Sequence, residues 1–372
     1  MGDLPSTCLA AVMTKPNAPI DVREVRVPDR LEPGAALVRI DVASICGSDV
    51  HQWEGESGVS LQHPVILGHE MMGTIVRLGD GLTHDSVGQP LREGERIIWS
   101  HAACGQCHFC RVIRQETLCP NRVIGMTASA EEFPYILGGF SQYCYVLPTA
   151  GKVRVPDDVK SEWASPAACA LRSVLHGFER VGQIEPHETV VIQGAGPLGL
   201  YATAIASHIG ARQIIVIGAP ADRLEVAKKY GATATISIEE EPGARQRRSR
   251  VQELTQGLGA DVVFEFSGAV SAVPEGIQLA RRGGRYLVMG QLGSHEVSIR
   301  PALITLKHLS IIGTFSADIR HYWKALDFIR QTRHTFDFDA MISTRYPLGR
   351  INEAMHNMQA FKEIKPLVLP HA

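Results

Sequence analysis

Apolar and polar residues alternate along much of the first 45 positions, for example over residues 22–27 and 36–42. A period of two places successive side chains on opposite faces of a strand, so these segments predict half-buried antiparallel strands. Strand character resumes at residues 71–77 and 96–99, after polar loops. The pattern predicts a β-rich first domain whose loops carry the polar chemistry.

From residue 189 onward, short apolar runs alternate with helical segments. The apolar runs predict buried strands at 189–193, 213–217, 261–266 and 285–289. The intervening segments predict helices at 200–209, 223–230 and 270–279. Repeated strand–helix units with short connections indicate a parallel, doubly wound sheet. The rest of the chain predicts helices at 325–330 and 351–361 and a closing strand at 365–369, which could rejoin the first domain.

A glycine-rich turn joins the first strand of this second region to its helix. The turn reads GAGPLG at 194–199 and matches the G-x-G-x-x-G dinucleotide fingerprint, in the strand–turn–helix context that the fingerprint requires. Glycines let the backbone approach a pyrophosphate, which is held at the helix N-terminus. We therefore expect NAD(H) or NADP(H) to contact Gly194, Gly196, Pro197, Leu198 and Gly199.

The choice between NAD and NADP stays open at this stage. A carboxylate for the ribose hydroxyls is expected about 20 residues past the glycines. The chain has Gly218 at that place, and its nearest acid is Asp222. The missing carboxylate removes the usual barrier to a 2′-phosphate, and Arg223 is a possible partner for that phosphate. The alternative is that Arg223 is simply solvated at a helix start.

Eight cysteines occur in the chain, and four of them lie within sixteen residues: Cys104, Cys107, Cys110 and Cys119. Two successive Cys-x-x-Cys steps and a nearby fourth thiol are typical of a structural zinc site. An iron–sulfur cluster and four thiols without metal are the alternatives. Cys8 and Cys144 stand apart in strand-like contexts and are predicted to be buried, inert thiols.

Residues 46–51 and 68–70 bring a thiol, an imidazole and a carboxyl group into one stretch of the first domain, as CGSDVH and GHE. Sulfur, nitrogen and oxygen ligands of this kind suit a catalytic zinc ion. The hydroxyl of Ser48 and the imidazole of His51 stand beside the first candidate ligand, Cys46. Together they suggest a catalytic metal with a proton path next to it.

Composition excludes several classes of function. At 372 residues the chain is long enough for two domains, and its net charge of −2 gives no footprint for nucleic acid or an anionic membrane. The basic run at 245–250 is therefore interpreted as a solvated helix face. The amino terminus lacks a signal-peptide pattern and no apolar run reaches spanning length, which predicts a cytoplasmic protein.

With these motifs in this order, the chain resembles the zinc-containing alcohol dehydrogenases of the medium-chain dehydrogenase/reductase superfamily. The resemblance rests on residues 46–51, 68–70, 104–119 and 194–199 and spans nearly the whole chain. It implies a GroES-like β-rich catalytic domain at 1–168, with a structural zinc lobe at 100–120. It also implies a Rossmann nucleotide-binding domain at 169–316 and a return to the catalytic domain at 317–372.

The same resemblance implies roles for single residues. Cys46 and His69 match catalytic zinc ligands, and so does Cys169, for which a buried core thiol is the alternative. Glu70 matches an acid that ligates in some members and stands behind the metal in others. Asp49 matches the carboxylate that orients the zinc-bound imidazole. Ser48 and His51 match a proton relay, and Ser173 falls where the family often contacts the nicotinamide. Two zinc ions per chain and an NAD(P)-linked oxidation of an alcohol to an aldehyde or ketone are implied.

Departures from the family pattern leave the substrate open. The interval between Cys110 and Cys119 is one residue longer than usual, and residues 81–92 and 126–139 are longer too, which could remodel the mouth of the cleft. A polyol or hydroxy-acid dehydrogenase of the sorbitol- or threonine-dehydrogenase type is the alternative within the class. A regulatory protein that binds nucleotide and zinc without turnover is the alternative of another class. The resemblance implies a homodimer or homotetramer, joined near residues 297–299.

Overall fold

The computed structural model describes residues 4–56, 58–293 and 295–372 and divides the chain into two compact units. The first unit comprises the described residues up to Arg172, together with Ala317–Gln331 and Ile342–Ala372. The second unit comprises Ser173–Ser316 and Thr332–Met341. The sequence placed the domain boundaries at 168/169 and 316/317, and the short return of residues 332–341 to the second unit was not foreseen.

The first unit is built mainly from antiparallel strands. The strands are β1 (Thr7–Met13), β2 (Asp21–Arg26), β3 (Ala36–Ser44), β4 (Val65–Ile66), β5 (Glu70–Leu78), β6 (Arg96–Trp99), β7 (Tyr143–Val146), β8 (Lys152–Arg154), β15 (Ile342–Pro347) and β16 (Lys365–Leu369). One sheet of three strands has the order β2-β1-β4. A larger sheet has the order β15-β16-β3-β5-β6-β8, with β7 paired to β3.

The carboxyl-terminal strand completes the larger sheet. In β16, Leu367 and Val368 pair antiparallel with Ser44 and Ala43 of β3. One apolar core fills this unit, and its buried members come from both ends of the chain, as with Val12 and Val368. The predicted return of the closing strand at 365–369 to the first domain is therefore confirmed.

Short helices connect and flank these strands. They are α1 (Gly47–Glu54), α2 (Ser161–Pro166), α9 (Ile319–Thr332) and α10 (Ile351–Gln359). A π-helical turn at Ala167–Leu171 follows α2, and a second one lies at Phe109–Ile113. Single π turns inside helical segments are frequent at functional sites. Each of the two turns contains a cysteine of a candidate metal site, Cys169 and Cys110 respectively.

The second unit holds a six-stranded sheet in which every pair of neighbours is parallel. The strands are β9 (Thr189–Gln193), β10 (Gln213–Gly218), β11 (Ala234–Ser237), β12 (Ala260–Glu265), β13 (Ala280–Val288) and β14 (Ser310–Gly313). Their order in the sheet is β11-β10-β9-β12-β13-β14, the arrangement of two mononucleotide-binding halves around the first strand. The predicted parallel, doubly wound sheet is confirmed.

Helices alternate with these strands, as the sequence pattern predicted. They are α3 (Arg172–Val181), α4 (Pro197–His208), α5 (Ala221–Lys229), α6 (Ala244–Leu254), α7 (Ala272–Leu279) and α8 (Pro301–Lys307). The strand β9 is buried over its whole length because it lies at the centre of the sheet. Its apolar run Val190–Ile192 is what marked it in the sequence.

The two isolated cysteines, Cys8 and Cys144, are buried. Burial raises the pKa of the Cys8 thiol to about 12 and that of Cys144 further, so both thiols are inert as expected.

The basic run in α6 is not a purely solvated face. Arg247 is buried and makes a bidentate ion pair with Glu275 at 2.8 and 2.9 Å.

None of the described helices combines the length and apolar character that a bilayer crossing requires. The prediction about the amino terminus rests partly on residues 1–3, which lie outside the described residues.

Candidate active site and metal centres

Four of the predicted zinc ligands converge in the first unit. One ligand atom from each of Cys46, His69, Glu70 and Cys169 lies within 4.8 Å of the others. Cys46 caps the start of α1, Glu70 opens β5 directly after His69, and Cys169 sits in the π turn that follows α2. Three separate segments thus deliver two thiols, an imidazole and a carboxyl group to one point, which is a donor set that suits zinc.

Asp49 ties two of these segments together. It is completely buried, and its carboxylate accepts hydrogen bonds from the backbone N–H groups of Cys46 at 2.9 Å and Gly68 at 3.1 Å. The same carboxylate lies 3.2 Å from Nδ1 of His69. A carboxylate on one ring nitrogen leaves the other nitrogen, Nε2, directed toward a metal. The structure therefore puts Asp49 where the sequence analysis expected an orienting carboxylate.

Glu70 has one engaged oxygen and one unengaged oxygen. Its Oε2 accepts hydrogen bonds from Ser44 Oγ at 2.5 Å and from the Lys365 ammonium at 2.7 Å. Oε1 is buried and has no hydrogen-bond partner among the described residues. A buried carboxylate oxygen without a partner is costly. A cation at the convergence point of the four ligand atoms would satisfy this oxygen, so the residues present fit a zinc ion.

Lys365 and Ser44 are site residues that the sequence analysis did not identify. Both are buried, and Ser165 joins the same network by donating from its hydroxyl to the backbone oxygen of Glu70 at 2.8 Å. The signal for Lys365 was a lysine at the head of an otherwise apolar closing strand. A lysine in such a position is buried only when it is paired.

The charges of the site are strongly coupled. A hydrogen bond with Cys169 lowers the pKa of the Cys46 thiol, and the same bond raises the pKa of Cys169. Burial raises the pKa of Glu70 to about 7, against the opposing charge of Lys365. Burial alone would lower the pKa of His69, but the Asp49 carboxylate outweighs it and raises that pKa. One thiolate is therefore favoured already, and the thiolate is the form that binds zinc.

The two predicted relay residues lie on successive turns of α1. The hydroxyl of Ser48 is 3.4 Å from Nε2 of His69, on the side of the ring that faces the ligand cluster. His51 stands three residues later, which places it on the same helix face. Its side chain is 57% exposed, and its Nδ1 lies 3.7 Å from Oε2 of Glu54.

The four clustered cysteines form a second convergence point. Their sulfur atoms lie within 4.8 Å of one another, and the shorter separations are 3.5 Å for Cys107–Cys110, 3.8 Å for Cys107–Cys119 and 3.5 Å for Cys104–Cys119. Four sulfurs at about 2.3 Å from a tetrahedral zinc ion would be about 3.8 Å apart. The lobe therefore fits a structural zinc ion.

Donors in the lobe favour the thiolate form of Cys104, whereas burial raises the pKa of the Cys110 thiol to about 12. The backbone N–H of Cys104 donates to Sγ of Cys119 at 3.4 Å, and the side-chain amide of Asn121 donates to Sγ of Cys104 at 3.8 Å. Backbone N–H groups of Gln106 and Cys107 lower the pKa of the Cys104 thiol to about 6. The interval between Cys110 and Cys119 contains the short helix Glu116–Leu118, and the sulfur of Cys119 reaches the cluster.

The glycine-rich turn lies in the second unit, at the carboxyl end of β9. Gly196 caps α4, and Pro197 is its first residue, a position where proline leaves no backbone donor unpaired. A Cβ atom on Gly199 would lie 1.8 Å from the backbone oxygen of Gly194, so only glycine permits this close approach. The free N–H groups at the start of α4 form an anion-binding terminus that fits a pyrophosphate.

The other predicted cofactor contacts lie in the same unit. A Cβ atom on Gly218, the last residue of β10, would lie 2.8 Å from the backbone nitrogen of Ala195 in the glycine turn. Arg223 is 6% exposed in α5, and burial lowers its pKa against the opposing charge of Asp222. Ser173 is 6% exposed and lies at the second position of α3.

Two protein-family models match separate parts of the chain. The alcohol dehydrogenase GroES-like domain matches residues 32–157, and the zinc-binding dehydrogenase domain matches residues 197–331. A 5-exo-hydroxycamphor dehydrogenase of Pseudomonas putida is 36% identical over 362 residues, which cover 96% of this chain and 98% of that relative. The chain belongs to the zinc-containing alcohol dehydrogenase family.

Other relatives extend the range of named substrates. A D-arabitol-phosphate dehydrogenase of Enterococcus avium is 30% identical, with 93% of this chain and 92% of that relative covered. Among solved structures, an alcohol dehydrogenase from Thermotoga maritima superposes with a TM-score of 0.90 at 32% identity, covering 98% of this chain and 99% of that one. A zinc-binding dehydrogenase from Sinorhizobium meliloti bound to NADP gives a TM-score of 0.81 at 29% identity, covering 98% and 100%.

Membership in this family confirms several expectations. The chain is an oxidoreductase of the medium-chain dehydrogenase/reductase superfamily that acts on alcohols with zinc and a nicotinamide cofactor. The GroES-like and Rossmann architectures follow from the same matches and from the sheets described above. The two clusters of ligand atoms are its candidate zinc sites.

Proposed function

We propose that the residues of the first cluster carry the oxidation of an alcohol to an aldehyde or ketone. Cys46, His69 and Cys169 hold a catalytic zinc ion, with Glu70 available as a fourth ligand through its unpartnered Oε1. The observation that carries this proposal is the convergence of one ligand atom from each residue within 4.8 Å, with the Ser48 hydroxyl 3.4 Å from Nε2 of His69. Cys104, Cys107, Cys110 and Cys119 hold a second, structural zinc ion.

The chain's own groups bind, orient and deprotonate the alcohol. When bound, zinc supplies Lewis-acid polarisation that lowers the pKa of a coordinated hydroxyl, and nicotinamide accepts the hydride. Oγ of Ser48, which lies beside the ligand cluster, accepts the hydroxyl proton of the substrate and releases its own hydroxyl proton toward His51. His51, one turn further along α1 and exposed to water, takes up that proton on its imidazole and gives it to solvent. Asp49 fixes the orientation of His69.

Replacement of Ser48 by alanine tests this assignment. The Ser48→Ala variant is expected to retain two zinc ions per chain and to lose about 10²–10⁴-fold in turnover, the usual contribution of a positioned proton-transfer group. Elemental analysis measures the zinc, and nicotinamide absorbance measures the turnover. Ser60, which lies in a polar loop outside the site, provides the control Ser60→Ala. Full turnover by Ser48→Ala would remove Ser48 from the proton path.

The glycine turn binds the pyrophosphate of the nicotinamide cofactor, and Ser173 contacts the nicotinamide. The enzyme accepts NADPH at least as tightly as NADH. This choice is supported by the absence of a carboxylate at the end of β10, where Gly218 stands, and by Arg223 as a cation in the helix that follows. Fluorescence titration of the zinc-loaded enzyme with each nucleotide tests it, and a tenfold preference for NADH would contradict it.

Two copies of the chain associate through the β14 edge of the nucleotide sheet. The edge strand β14 offers its outer main-chain groups for pairing, and apolar side chains near it are exposed, including Val297, Ile299, Leu306 and Ile311. Light scattering on Ile311→Lys, compared with the unaltered chain, tests this assignment, since a charge on the edge would favour the monomer. A cytoplasmic location belongs to the proposal and is supported by the eight cysteines, none of which forms a disulfide bond.

A further inference from the structure

A cleft opens beside His69, and its walls come entirely from the first unit. It is small, because the centres of water-sized spheres can occupy only about 30 Å³ of it. Apolar side chains dominate its lining, among them Met71, Trp99, Met126 and Leu137. The last two belong to the segment 126–139, so this loop forms part of the cleft wall.

Most polar groups of the lining are already engaged by the protein. Ser100 Oγ donates to the backbone oxygen of His101 at 3.1 Å and accepts from the N–H of Gly151 at 3.0 Å. The hydroxyl of Tyr145 bonds with Glu32, accepting from its backbone N–H at 3.0 Å and donating to its carboxylate at 3.2 Å. A substrate therefore finds neither hydroxyl free for a strong new hydrogen bond.

His101 and Trp99 are the exceptions among the polar lining residues. In the part of the chain that the structure describes, no hydrogen bond engages the ring of His101, and none engages the indole N–H of Trp99 either. Burial, together with the charges of Arg172 and Arg122, lowers the pKa of His101, so its imidazole is neutral. A neutral imidazole presents one donor and one acceptor. The described lining residues include no carboxylate, carboxamide, ammonium or guanidinium group.

Charged side chains lie in a smaller neighbouring recess that shares Ser100 and His101 with the cleft. Its lining includes Arg122 together with two carboxyl groups, those of Glu116 and Asp318. Asp318 accepts from the backbone N–H of Thr117 at 3.0 Å. With two acids against one guanidinium, this recess does not favour an additional anionic group on a substrate.

We propose that the cleft selects compact, uncharged alcohols with a mainly hydrocarbon body, such as ring alcohols, and discriminates against polyols and anionic alcohols. This inference rests on the proposed function, because it takes the substrate hydroxyl to lie at the ligand cluster beside His69. His101 positions one further neutral polar group of the substrate. Each hydroxyl beyond those that His101 and the Trp99 indole N–H can engage enters an apolar wall without a partner and weakens binding by about tenfold or more.

Ligands with one carbon skeleton test the inference directly. Saturation-transfer NMR measures binding of cyclohexanol, myo-inositol and trans-4-hydroxycyclohexanecarboxylate to the zinc-loaded, full-length enzyme. Cyclohexanol is expected to bind at least about a hundredfold more tightly than myo-inositol and at least about tenfold more tightly than the carboxylate. Equal or tighter binding of either polar ligand, or no binding of cyclohexanol, overturns the inference.

Turnover is a separate readout that concerns the proposed function. If cyclohexanol binds selectively but is oxidised with neither NAD nor NADP, the cleft has the proposed selectivity and the assigned chemistry is wrong. If myo-inositol is both bound more tightly and oxidised faster, the chemistry stands and the substrate class is wrong.

A variant pair locates the discrimination in the cleft wall. Leu137→Asn adds a carboxamide to the lining and is expected to reduce the preference for cyclohexanol over myo-inositol by about tenfold. The control Val112→Asn makes a similar change at a side chain that is 67% exposed, and it should leave the preference unaltered. An unchanged preference in a folded Leu137→Asn variant would show that the wall does not select the substrate.

Discussion

Nζ of Lys365 lies 2.7 Å from Oε2 of Glu70, although the two residues are 295 positions apart in the chain. Both side chains are almost fully buried, at 2% and 0% exposure. The lysine also donates to the backbone oxygen of Ile45 at 3.2 Å, next to the candidate ligand Cys46. The carboxyl-terminal strand thus supplies the cation that stabilises the acidic group of the candidate catalytic metal site.

Replacement of Lys365 by methionine is expected to lower the free energy of unfolding by about 3–5 kcal/mol. Removal of one partner from a buried ion pair leaves the other charge uncompensated, and this cost exceeds the loss of the attraction itself. Chemical denaturation of the zinc-loaded protein measures the change.

A double variant separates the loss of the charge partner from the loss of packing. Glu70→Gln combined with Lys365→Met removes both charges and should recover at least half of the lost stability. If the double variant is as unstable as Lys365→Met alone, the packing of the lysine stem is the main contribution of Lys365.

Local sequence patterns were sufficient to predict most of the candidate ligands and the nucleotide fold. Cys46, His69 and Glu70 lie within 25 positions, and the four cysteines of the lobe lie within sixteen, so residue type and spacing marked them as candidates, whereas Cys169 was given only by the family resemblance. The glycine turn was identified because strand, turn and helix are contiguous. Each of these signals depends on neighbours in sequence, which is why it survives without a structure.

Residues that act through distant partners could not be identified in this way. Arg247 belongs to a basic run that looks solvated, yet its partner Glu275 is 28 positions away on α7. His101 and Leu137 are ordinary residues in sequence, and only the folding of their loops places them on one cleft. The edge strand β14 was missed because its four residues are mostly exposed and lack an apolar period.

Replacement of Asp49 by asparagine is expected to weaken zinc binding at the first cluster by about 10–100-fold, the usual effect of losing an orienting carboxylate. The NH₂ group of asparagine would face one of the two backbone N–H groups that now donate to the Asp49 carboxylate, so two hydrogen-bond donors would meet. Competition with a chelator measures the affinity. Asp41→Asn is the matched control, because Asp41 accepts from Thr74 Oγ1 at 2.6 Å away from both clusters. Equal affinities in the two variants would contradict the role of Asp49.

Replacement of Cys104 by serine is expected to reduce the zinc content from two ions to one per chain, because a structural site needs all four thiolates. The melting temperature should fall as well, since metal binding contributes to folding stability. Cys8→Ala alters a buried thiol outside both clusters and should retain two zinc ions. Elemental analysis provides the count, and iron in place of zinc would identify the lobe as an iron–sulfur site instead.

Replacement of Gly218 by alanine tests the contact between the end of β10 and the glycine turn. The new methyl group would lie 2.8 Å from the backbone nitrogen of Ala195, so the turn must shift. Overpacking of this kind typically costs about 1–3 kcal/mol of stability.

The same shift moves the backbone that receives the pyrophosphate, which NADH and NADPH have in common. We therefore expect Gly218→Ala to raise the dissociation constants of both nucleotides by a similar factor, as measured by fluorescence titration. Gly349→Ala is the control, because a Cβ atom there meets nothing within 4 Å. Weaker binding of NADPH alone would mean that Gly218 acts on the 2′-phosphate directly, and that the turn tolerates the methyl group without moving.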